Sequence, residues 1–251
     1  MFDVSGDAYG RFMGRFSEPL AVLLADLVGV EAGQRAVDVG CGPGALTAVL
    51  VDRLGAANVA ACDPSKPFVA ALRHRLPQVE VHEAPAEHLP FATDTFDAAL
   101  AQLVVHFMSD PVTGLSEMRR VTRPGGLVAA NVWDHSGSEG PLSLFWRAAR
   151  DVDPNVHDEA NLAGVQEGNL QQLFIEAGFA DPHETKLTVA PRFDSFEDWW
   201  EPYTFGVGPS GAYVAGLDDE ARQRVRDRCE ELLAAPPFTI TATAWTVSAR
   251  A

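Results

Sequence analysis

Three alternating glycines follow the end of an apolar strand pattern. They are Gly40, Gly42 and Gly44. The apolar run before them contains Asp38, and a helical pattern over 45–54 follows them. Glycine lets the backbone approach a ligand that a Cβ atom would push away, and the start of a helix presents unpaired N–H groups to that ligand. The arrangement indicates a binding site for a nucleotide-type ligand.

A second carboxylate lies where nucleotide-binding folds need one. Asp63 ends another apolar strand pattern, 58–63, about 20 residues beyond Gly44. At that distance, doubly wound folds place the acid that accepts hydrogen bonds from the ribose hydroxyls. A solvated cap of the following helix is the alternative interpretation of Asp63.

Strand and helix patterns alternate along the chain and predict the sheet that must position these residues. Strand patterns lie at 36–39, 58–63, 79–84, 96–106, 126–133, 184–193 and 238–248. Helical patterns lie at 45–54, 64–76, 111–123 and 168–178. Such alternation indicates an α/β fold with a doubly wound, mostly parallel sheet of seven strands. We expect the ligand at the carboxyl ends of those strands.

Two helical segments, 1–30 and 194–235, lie outside that alternation. We expect a single domain over 1–251, with the ligand-binding core at 35–135 and these two segments as lids over a substrate. The first segment carries aromatic and arginine residues, and the second carries an aromatic cluster. Core packing is the alternative interpretation of most of these aromatics, because large apolar side chains are usually buried.

The composition argues against several classes of partner. Against 35 Asp and Glu stand 19 Lys and Arg, which gives a net charge of −16 and disfavours nucleic acid or an anionic membrane surface as partner. The polar start lacks a signal-like apolar segment, and no run of about 18 apolar residues follows. The three cysteines show neither close pairing nor metal-ligand spacing. We therefore expect a cytoplasmic protein without a bound metal or a membrane anchor.

Four motifs, in order along the chain, carry a resemblance to a known family. They read VDVGCGPG at 37–44, ACDPS at 61–65, APAEHLPF at 84–91 with DTFD at 94–97, and EMRRVTRPGG at 117–126. In these motifs the chain resembles the class I S-adenosylmethionine-dependent methyltransferases of the small-molecule type, in the methyltransferase type 11 branch. The segment YGRFMGRFS at 9–17 is similar to an N-terminal motif of one branch. The resemblance implies a Rossmann-like methyltransferase fold, S-adenosyl-L-methionine as methyl donor and S-adenosyl-L-homocysteine as its product.

The resemblance also implies which residues contact the donor. For its methionine part they are Asp38, Gly40, Cys41, Gly42 and Gly44. For its ribose and adenine they are Asp63, Pro64, Ser65, Ala86 and Glu87. Beside the sulfonium they are Gln102 and Leu103, and over the donor carboxylate they are Tyr9, Arg11 and Arg15. An exposed basic helix is the alternative for this last group.

The third motif departs from the family at one position. The family usually carries an acid where this chain has Pro85. A side-chain contact to the adenine amino group from that position is therefore missing. Backbone groups of Ala86 or the carboxylate of Glu87 could take its place.

A dinucleotide-binding turn is the competing interpretation, because GCGPGA at 40–45 also fits the pattern G-x-G-x-x-A. Asp38 argues against it. A pyrophosphate carries two negative charges, whereas S-adenosylmethionine brings a sulfonium, an ammonium and one carboxylate. We therefore expect S-adenosylmethionine and not a nicotinamide or flavin cofactor.

Histidines after the fourth and fifth strand patterns are the candidate catalytic bases. His106 ends the fourth pattern, where an acceptor would approach the methyl group, and His135 follows the fifth. Histidine titrates near neutrality and can take up a proton, although a lone histidine more often serves packing. We expect methyl transfer to a small organic acceptor, with O- or C-methylation preferred over N-methylation. A non-catalytic, regulatory S-adenosylmethionine-binding protein and a protein methyltransferase are the alternative hypotheses.

Overall fold

The computed structural model describes residues 10–251, which contain a seven-stranded sheet with helices packed against it. The strands are β1 (Ala36–Val39), β2 (Val59–Asp63), β3 (Glu80–Glu83), β4 (Phe96–Gln102), β5 (Thr122–Trp133), β6 (His183–Val189), β7 (Arg192–Phe193), β8 (Phe238–Thr239) and β9 (Ala242–Arg250). The order in the sheet is β3-β2-β1-β4-β5-β9-β6. Strands β1 to β5 pair in parallel, and β9 runs antiparallel to both β5 and β6. The predicted doubly wound, mostly parallel sheet of seven strands is confirmed.

Helices connect these strands. They are α1 (Arg15–Val28), α2 (Ala45–Leu54), α3 (Lys66–Arg75), α4 (Pro111–Val121), α5 (Ser143–Val152), α6 (Asn169–Glu176), α7 (Phe196–Trp200), α8 (Gly208–Gly216) and α9 (Asp219–Leu232). Among the helices of residues 10–251, none is long and apolar enough to cross a membrane. The sequence analysis did not predict α5. Its buried Phe145, Ala148 and Ala149 nevertheless follow the i, i+3, i+4 spacing of an amphipathic helix.

Two predicted strands are each divided in the structure. The pattern 184–193 forms β6 and β7, and the pattern 238–248 forms β8 and β9, with β7 and β8 pairing in a separate ribbon. Pro191 lies between β6 and β7, and proline has no N–H for a strand ladder. Its carbonyl accepts a hydrogen bond from the Ile240 N–H at 3.1 Å. The division turns the chain out of the large sheet before the helical insert begins.

The central strands are buried on both faces. Every residue of β1 and β2 is buried, as expected for parallel strands enclosed by helices. Asp38 and Asp63 are the acids of these two strands, and each lies at or next to the carboxyl end. A carboxylate buried in such a place requires hydrogen-bond donors or a ligand, because desolvation disfavours an isolated charge.

Helix α1 belongs to the core of the domain. Ala21, Leu24 and Ala25 are fully buried and lie in one apolar cluster with residues of α2 and β1. This packing holds α1 against the sheet. A lid formed by 1–30 stays a prediction, and residues 1–9 lie outside the described part of the chain.

The insert 194–235 is helical, as predicted, and its aromatic residues are mostly core. Phe145 of α5 stacks on Tyr203 of the insert, with ring centroids 4.5 Å apart and an angle of 11° between the rings. Trp199 and Trp200 are buried in the same cluster. Core packing therefore describes these rings better than a substrate lining.

Candidate active site

The three glycines after β1 differ in what surrounds them. A Cβ on Gly40 would lie 2.3 Å from Val104 Cγ2, and a Cβ on Gly44 would lie 2.4 Å from Leu72 Cδ1. Within residues 10–251, Gly42 has no atom within 4 Å of the position that its Cβ would take, and its φ is +52°, which L side chains rarely adopt. Gly40 and Gly44 thus allow neighbouring side chains to close on the turn, whereas Gly42 leaves open space beside it.

The carboxylate of Asp63 joins the two loops that follow β1 and β2. Its Oδ2 accepts a hydrogen bond from the Gly42 N–H at 2.9 Å, and its Oδ1 accepts one from the Ser65 N–H at 2.8 Å. Burial raises the pKa of Asp63, and these two hydrogen bonds partly offset that effect. Ser65, not Asp63, is the N-cap residue of α3, so the structure does not support the capping interpretation of Asp63.

Asp38 carries a buried oxygen that no donor satisfies. Its Oδ2 accepts a hydrogen bond from Thr47 Oγ1 at 2.6 Å, while its Oδ1 has no hydrogen-bond partner among residues 10–251. Burial, with a smaller contribution from the charge of Asp63, raises the pKa of Asp38 to about 7. A cation next to Oδ1 would favour the charged form of this carboxyl.

Two neighbouring residues at the end of β4, Gln102 and Leu103, complete this region. Gln102 Nε2 donates to the Ser17 carbonyl at 3.0 Å, and its buried Oε1 has no partner within the described part of the chain. Leu103 adopts a φ of +60°, and its N–H donates to both the carbonyl and the Oδ1 of Asn131, at 3.0 and 3.1 Å. The sequence analysis missed Asn131. The available signal was one polar side chain inside the apolar run that became β5.

Two adjoining cavities around the glycine turn form what we call the glycine-turn cleft. They hold about 320 Å³ and about 1150 Å³ of empty space, including the part open to solvent. Both are lined by Gly40, Gly42, Gln102 and Leu103. The other predicted contacts that line one of them are Asp38, Cys41, Asp63, Pro64, Ser65, Ala86 and Glu87. Gly44 is not among the residues that line the cleft, and the side chain of Leu72 packs against it; its contact with the donor stays a prediction.

Glu87 forms hydrogen bonds with a loop and also lines the cleft. Its Oε1 accepts hydrogen bonds from the N–H groups of Ser109 and Asp110, at 2.7 and 3.1 Å. Pro85 and Ala86 line the cleft on the same segment. The side chain of Glu87 is thus committed to the loop after β4, and Ala86 is the better placed of the two candidates for an adenine contact.

A third cavity, which we call the chamber, adjoins the cleft. It holds about 420 Å³ of empty space, including the part open to solvent. Leu103 and Phe107 line both the chamber and the cleft. The apolar lining of the chamber includes Phe12, Met13, Trp133, Leu142, Val207 and Pro209. Its polar lining consists of His106, His135, Glu159 and Ser210.

The two predicted histidines meet in the chamber. His106 is buried in a short helical turn after β4, and none of the described residues forms a hydrogen bond with its Nδ1. Burial lowers the pKa of His106 well below the usual value, and His135 adds to that effect. Burial lowers the pKa of His135 to about 4. The ring centroids are 5.9 Å apart, and both rings are neutral at pH 7, so each offers a nitrogen lone pair.

Arg11 and Arg15 contact the insert, which corrects their predicted role. Arg15 donates to both carboxylate oxygens of Asp198, at 2.5 and 2.7 Å, and Arg11 donates to Glu201 at 2.6 Å. The hydrogen bond from Arg15 holds the pKa of Asp198 below its usual value. Neither arginine lines the cleft. The predicted contact of Tyr9 lies outside the described residues.

The cleft fits a cationic ligand better than a dinucleotide. Asp38 Oδ1 and Gln102 Oε1 are buried acceptors without donors, and an ammonium would satisfy such oxygens. Among the described residues that line the cleft, none is Lys or Arg, so no side chain there neutralises a pyrophosphate. Within residues 10–251, no group of three His, Cys, Asp or Glu side chains is placed to hold a metal ion.

Comparisons with known proteins identify the family of this chain. A family model described as a methyltransferase domain matches residues 37–130. A demethylmenaquinone methyltransferase of Renibacterium salmoninarum is 33% identical over 194 residues, which are 72% of this chain and 79% of that protein. An uncharacterized 37.1 kDa protein in a transposon of Streptomyces fradiae is 30% identical over 91% of this chain and 66% of its own length. For some curated relatives the match spans only about half of their length.

A solved structure shows the same fold. Geranyl diphosphate C-methyltransferase from Streptomyces coelicolor, in complex with Mg²⁺, geranyl diphosphate and S-adenosyl-L-homocysteine, matches with a TM-score of 0.55 at 14% identity. The match covers 95% of this chain and 80% of that one. The stretch that the family model matches begins in β1 and ends in β5, so it contains both buried acids and the turn between them. On this evidence, the chain belongs to the class I S-adenosylmethionine-dependent methyltransferases.

Proposed function

We propose that this protein transfers the methyl group of S-adenosylmethionine to a small organic acceptor in the chamber. The observation that carries the proposal is that Leu103 and Phe107 line both the cleft and the chamber. A donor in the cleft and an acceptor in the chamber would therefore meet at these residues. The name of the Renibacterium relative, a demethylmenaquinone methyltransferase, supports an organic acceptor.

Residues of the cleft hold and orient the donor in this proposal. The unpartnered oxygens of Asp38 and Gln102 accept hydrogen bonds from its ammonium. The carboxylate of Asp63 keeps lone pairs beyond those used by Gly42 and Ser65, and these accept from the ribose hydroxyls. When bound, S-adenosylmethionine supplies an electrophilic methyl group on a positively charged sulfur.

The chamber supplies orientation, exclusion of water and a proton acceptor. Its apolar walls exclude water. Because the bound acceptor is already fixed in position, less entropy is lost when it meets the methyl group. His106 is neutral at pH 7 and has an unpartnered nitrogen, so it can take the proton that a hydroxyl or an acidic carbon must lose. An amine needs no such base, and we therefore propose O- or C-methylation.

The raised pKa of Asp38 predicts a pH-dependent affinity for the donor. Because an ammonium favours the charged carboxyl, binding releases a proton and tightens as the pH rises through about 7. In Asp38→Asn we expect about 10-fold weaker binding at pH 8 and loss of this pH dependence. Calorimetric titration with S-adenosylmethionine at pH 6 and pH 8, in two buffers of different ionisation enthalpy, measures both. The exposed Asp52→Asn is the matched control and should behave as the unchanged protein does.

The same carboxyl predicts an effect on stability without ligand. The folded chain binds the Asp38 proton more tightly than the unfolded chain, so this contribution is present below pH 4 and lost as the pH rises through about 7. At pH 8 we expect the free energy of unfolding of Asp38→Asn to be roughly 2 kcal/mol higher than that of the unchanged protein. The variant should therefore unfold at a higher urea concentration. Urea unfolding at pH 5 and pH 8 tests this. An equal difference at both pH values would contradict the assignment.

Isotope transfer tests the proposed function directly. The protein is incubated with methyl-labelled S-adenosylmethionine and a panel of hydroxylated, carbon-acid and amine acceptors. We expect acceptor-dependent formation of S-adenosylhomocysteine, with the label on oxygen or carbon. Donor binding with acceptor-independent hydrolysis alone would support a non-catalytic binding protein. Label on a protein recovered with the chain would support a protein methyltransferase.

A further inference from the structure

Glu159 is a buried acid on the wall of the chamber, apart from the residues that line the cleft. Only 4% of the residue is exposed. Its Oε2 accepts a hydrogen bond from the Trp146 indole N–H at 3.0 Å. Burial raises the pKa of Glu159 to about 7. The donor-binding roles do not use this carboxyl, and its placement requires another explanation.

A second polar group of the chamber also lacks a partner. Ser210, near the start of α8, is fully buried, and its Oγ forms no hydrogen bond with any residue that the structure describes. A hydroxyl and a carboxyl on an otherwise apolar wall leave polar atoms that a bound molecule can satisfy. An acceptor with a hydrogen-bond donor at one end fits this wall, because a carboxylate can only accept and a serine hydroxyl can do both.

The charges around the chamber disfavour an anionic acceptor. Among the described residues that line it, none is Lys or Arg. Arg150 is paired with Asp158, the residue before Glu159. Above the raised pKa of Glu159, where this carboxyl is ionised, a carboxylate or phosphate in the chamber would meet a like charge without a compensating positive charge, which is costly in a buried site.

We propose that the acceptor is an uncharged apolar molecule bearing a hydroxyl group, and that Glu159 selects it over carboxylates by accepting the hydrogen bond of that hydroxyl. This deepens and rests on the proposed function, since it names the substrate class of the same chamber. Glu159 is then a specificity-determining residue. Burial has removed the Glu159 carboxyl from water, and the hydroxyl of the acceptor supplies the hydrogen bond that water would otherwise give it.

Three naphthalenes of similar shape test the selection by calorimetric titration at pH 8, above the raised pKa of Glu159, in the presence of S-adenosylhomocysteine. They are 2-naphthol, 2-methoxynaphthalene and 2-naphthoate. We expect 2-naphthol to bind best, 2-methoxynaphthalene about 10-fold more weakly because it has no donor, and 2-naphthoate at least about 30-fold more weakly because of like charge. Equal affinity for 2-naphthol and 2-naphthoate, or no binding of any of the three, would overturn the proposal.

Glu159→Gln tests whether the side chain of Glu159 causes the preference for 2-naphthol over 2-naphthoate. The amide can still accept from Trp146, so the wall keeps its shape, and its N–H₂ group can donate to a carboxylate. We expect 2-naphthoate to gain at least about 10-fold in affinity while S-adenosylhomocysteine binds as before. Glu167→Gln, the same change at an exposed acid that does not line the chamber, is the matched control and should leave the ratio unchanged. An unchanged ratio in Glu159→Gln would overturn the assignment.

These outcomes separate the two proposals. Selective binding of 2-naphthol without methyl transfer to any acceptor would retain the recognition role of Glu159 and overturn the proposed function. Transfer to carboxylates with efficiency equal to that for hydroxylated acceptors would retain the function and overturn the selection by Glu159.

Discussion

Gly42→Ala should lower the affinity for S-adenosylmethionine by about 100-fold and leave the fold intact. The added Cβ meets no atom of the described residues within 4 Å, and Gly42 lines both parts of the cleft. The methyl group therefore occupies space that the donor needs, and overpacking of about 3 kcal/mol corresponds to the expected loss. The φ of +52° adds strain of about 1 kcal/mol to the folded chain. Calorimetric titration and urea unfolding measure the two effects separately.

Gly29→Ala is the control for that strain. Gly29 has a φ of +67° and also has no atom within 4 Å of its Cβ position, but it lies at the end of α1 and does not line the cleft. Both variants should lose similar stability, and only Gly42→Ala should lose affinity. Gly40→Ala is unsuitable, because its Cβ would overlap Val104. Equal affinities in Gly42→Ala and Gly29→Ala would show that the donor does not bind beside Gly42.

The sheet and the cleft could be predicted because their signals are local. The runs that became β1 and β2 are buried on both faces and therefore read as short apolar segments with acids near their ends. Parallel strands bring those ends to one edge of the sheet, so Asp38, Asp63 and the turn with Gly42 lie close together. Spacing along the chain was sufficient for this part of the site.

The chamber could not be predicted in the same way. Glu159 lies in an irregular segment after α5, and Ser210 lies in the insert. Both reach the wall of the chamber only through packing among distant elements, and no spacing in the sequence relates one to the other. Histidines at strand ends were recognisable, because strand ends are where a doubly wound sheet places its ligands.

Two charged residues that were expected to contact the donor have other partners in the structure. Arg15 is bound by Asp198, and Glu87, which lines the cleft, is bound by backbone N–H groups of the loop after β4. A charged side chain near a site forms whatever ion pair or hydrogen bond lies within its reach. Those partners come from distant segments and are invisible in the sequence.

His106→Asn should lower kcat about 100-fold with an acceptor that loses a proton, a typical effect of removing a general base. Asparagine keeps a polar group in the buried position but cannot take up the proton. The affinity for S-adenosylmethionine should stay unchanged, because His106 lines the chamber and not the cleft. His135→Asn, the second candidate, should lower kcat by less than about 10-fold and serves as the matched control.

The pH profile distinguishes a base from a packing residue. Burial holds the pKa of His106 well below its usual value. At pH 6.5 nearly all of His106 is therefore already in the neutral, proton-accepting form. With the donor saturating, the part of kcat that depends on His106 should stay constant as the pH rises to 8.5 and fall only in acid. The same lowered pKa means that His106 favours the folded state above about pH 6.5 and loses this contribution as the pH falls. An equal loss of kcat in His106→Asn for hydroxylated and amine acceptors would assign His106 to packing, because only the former must give up a proton.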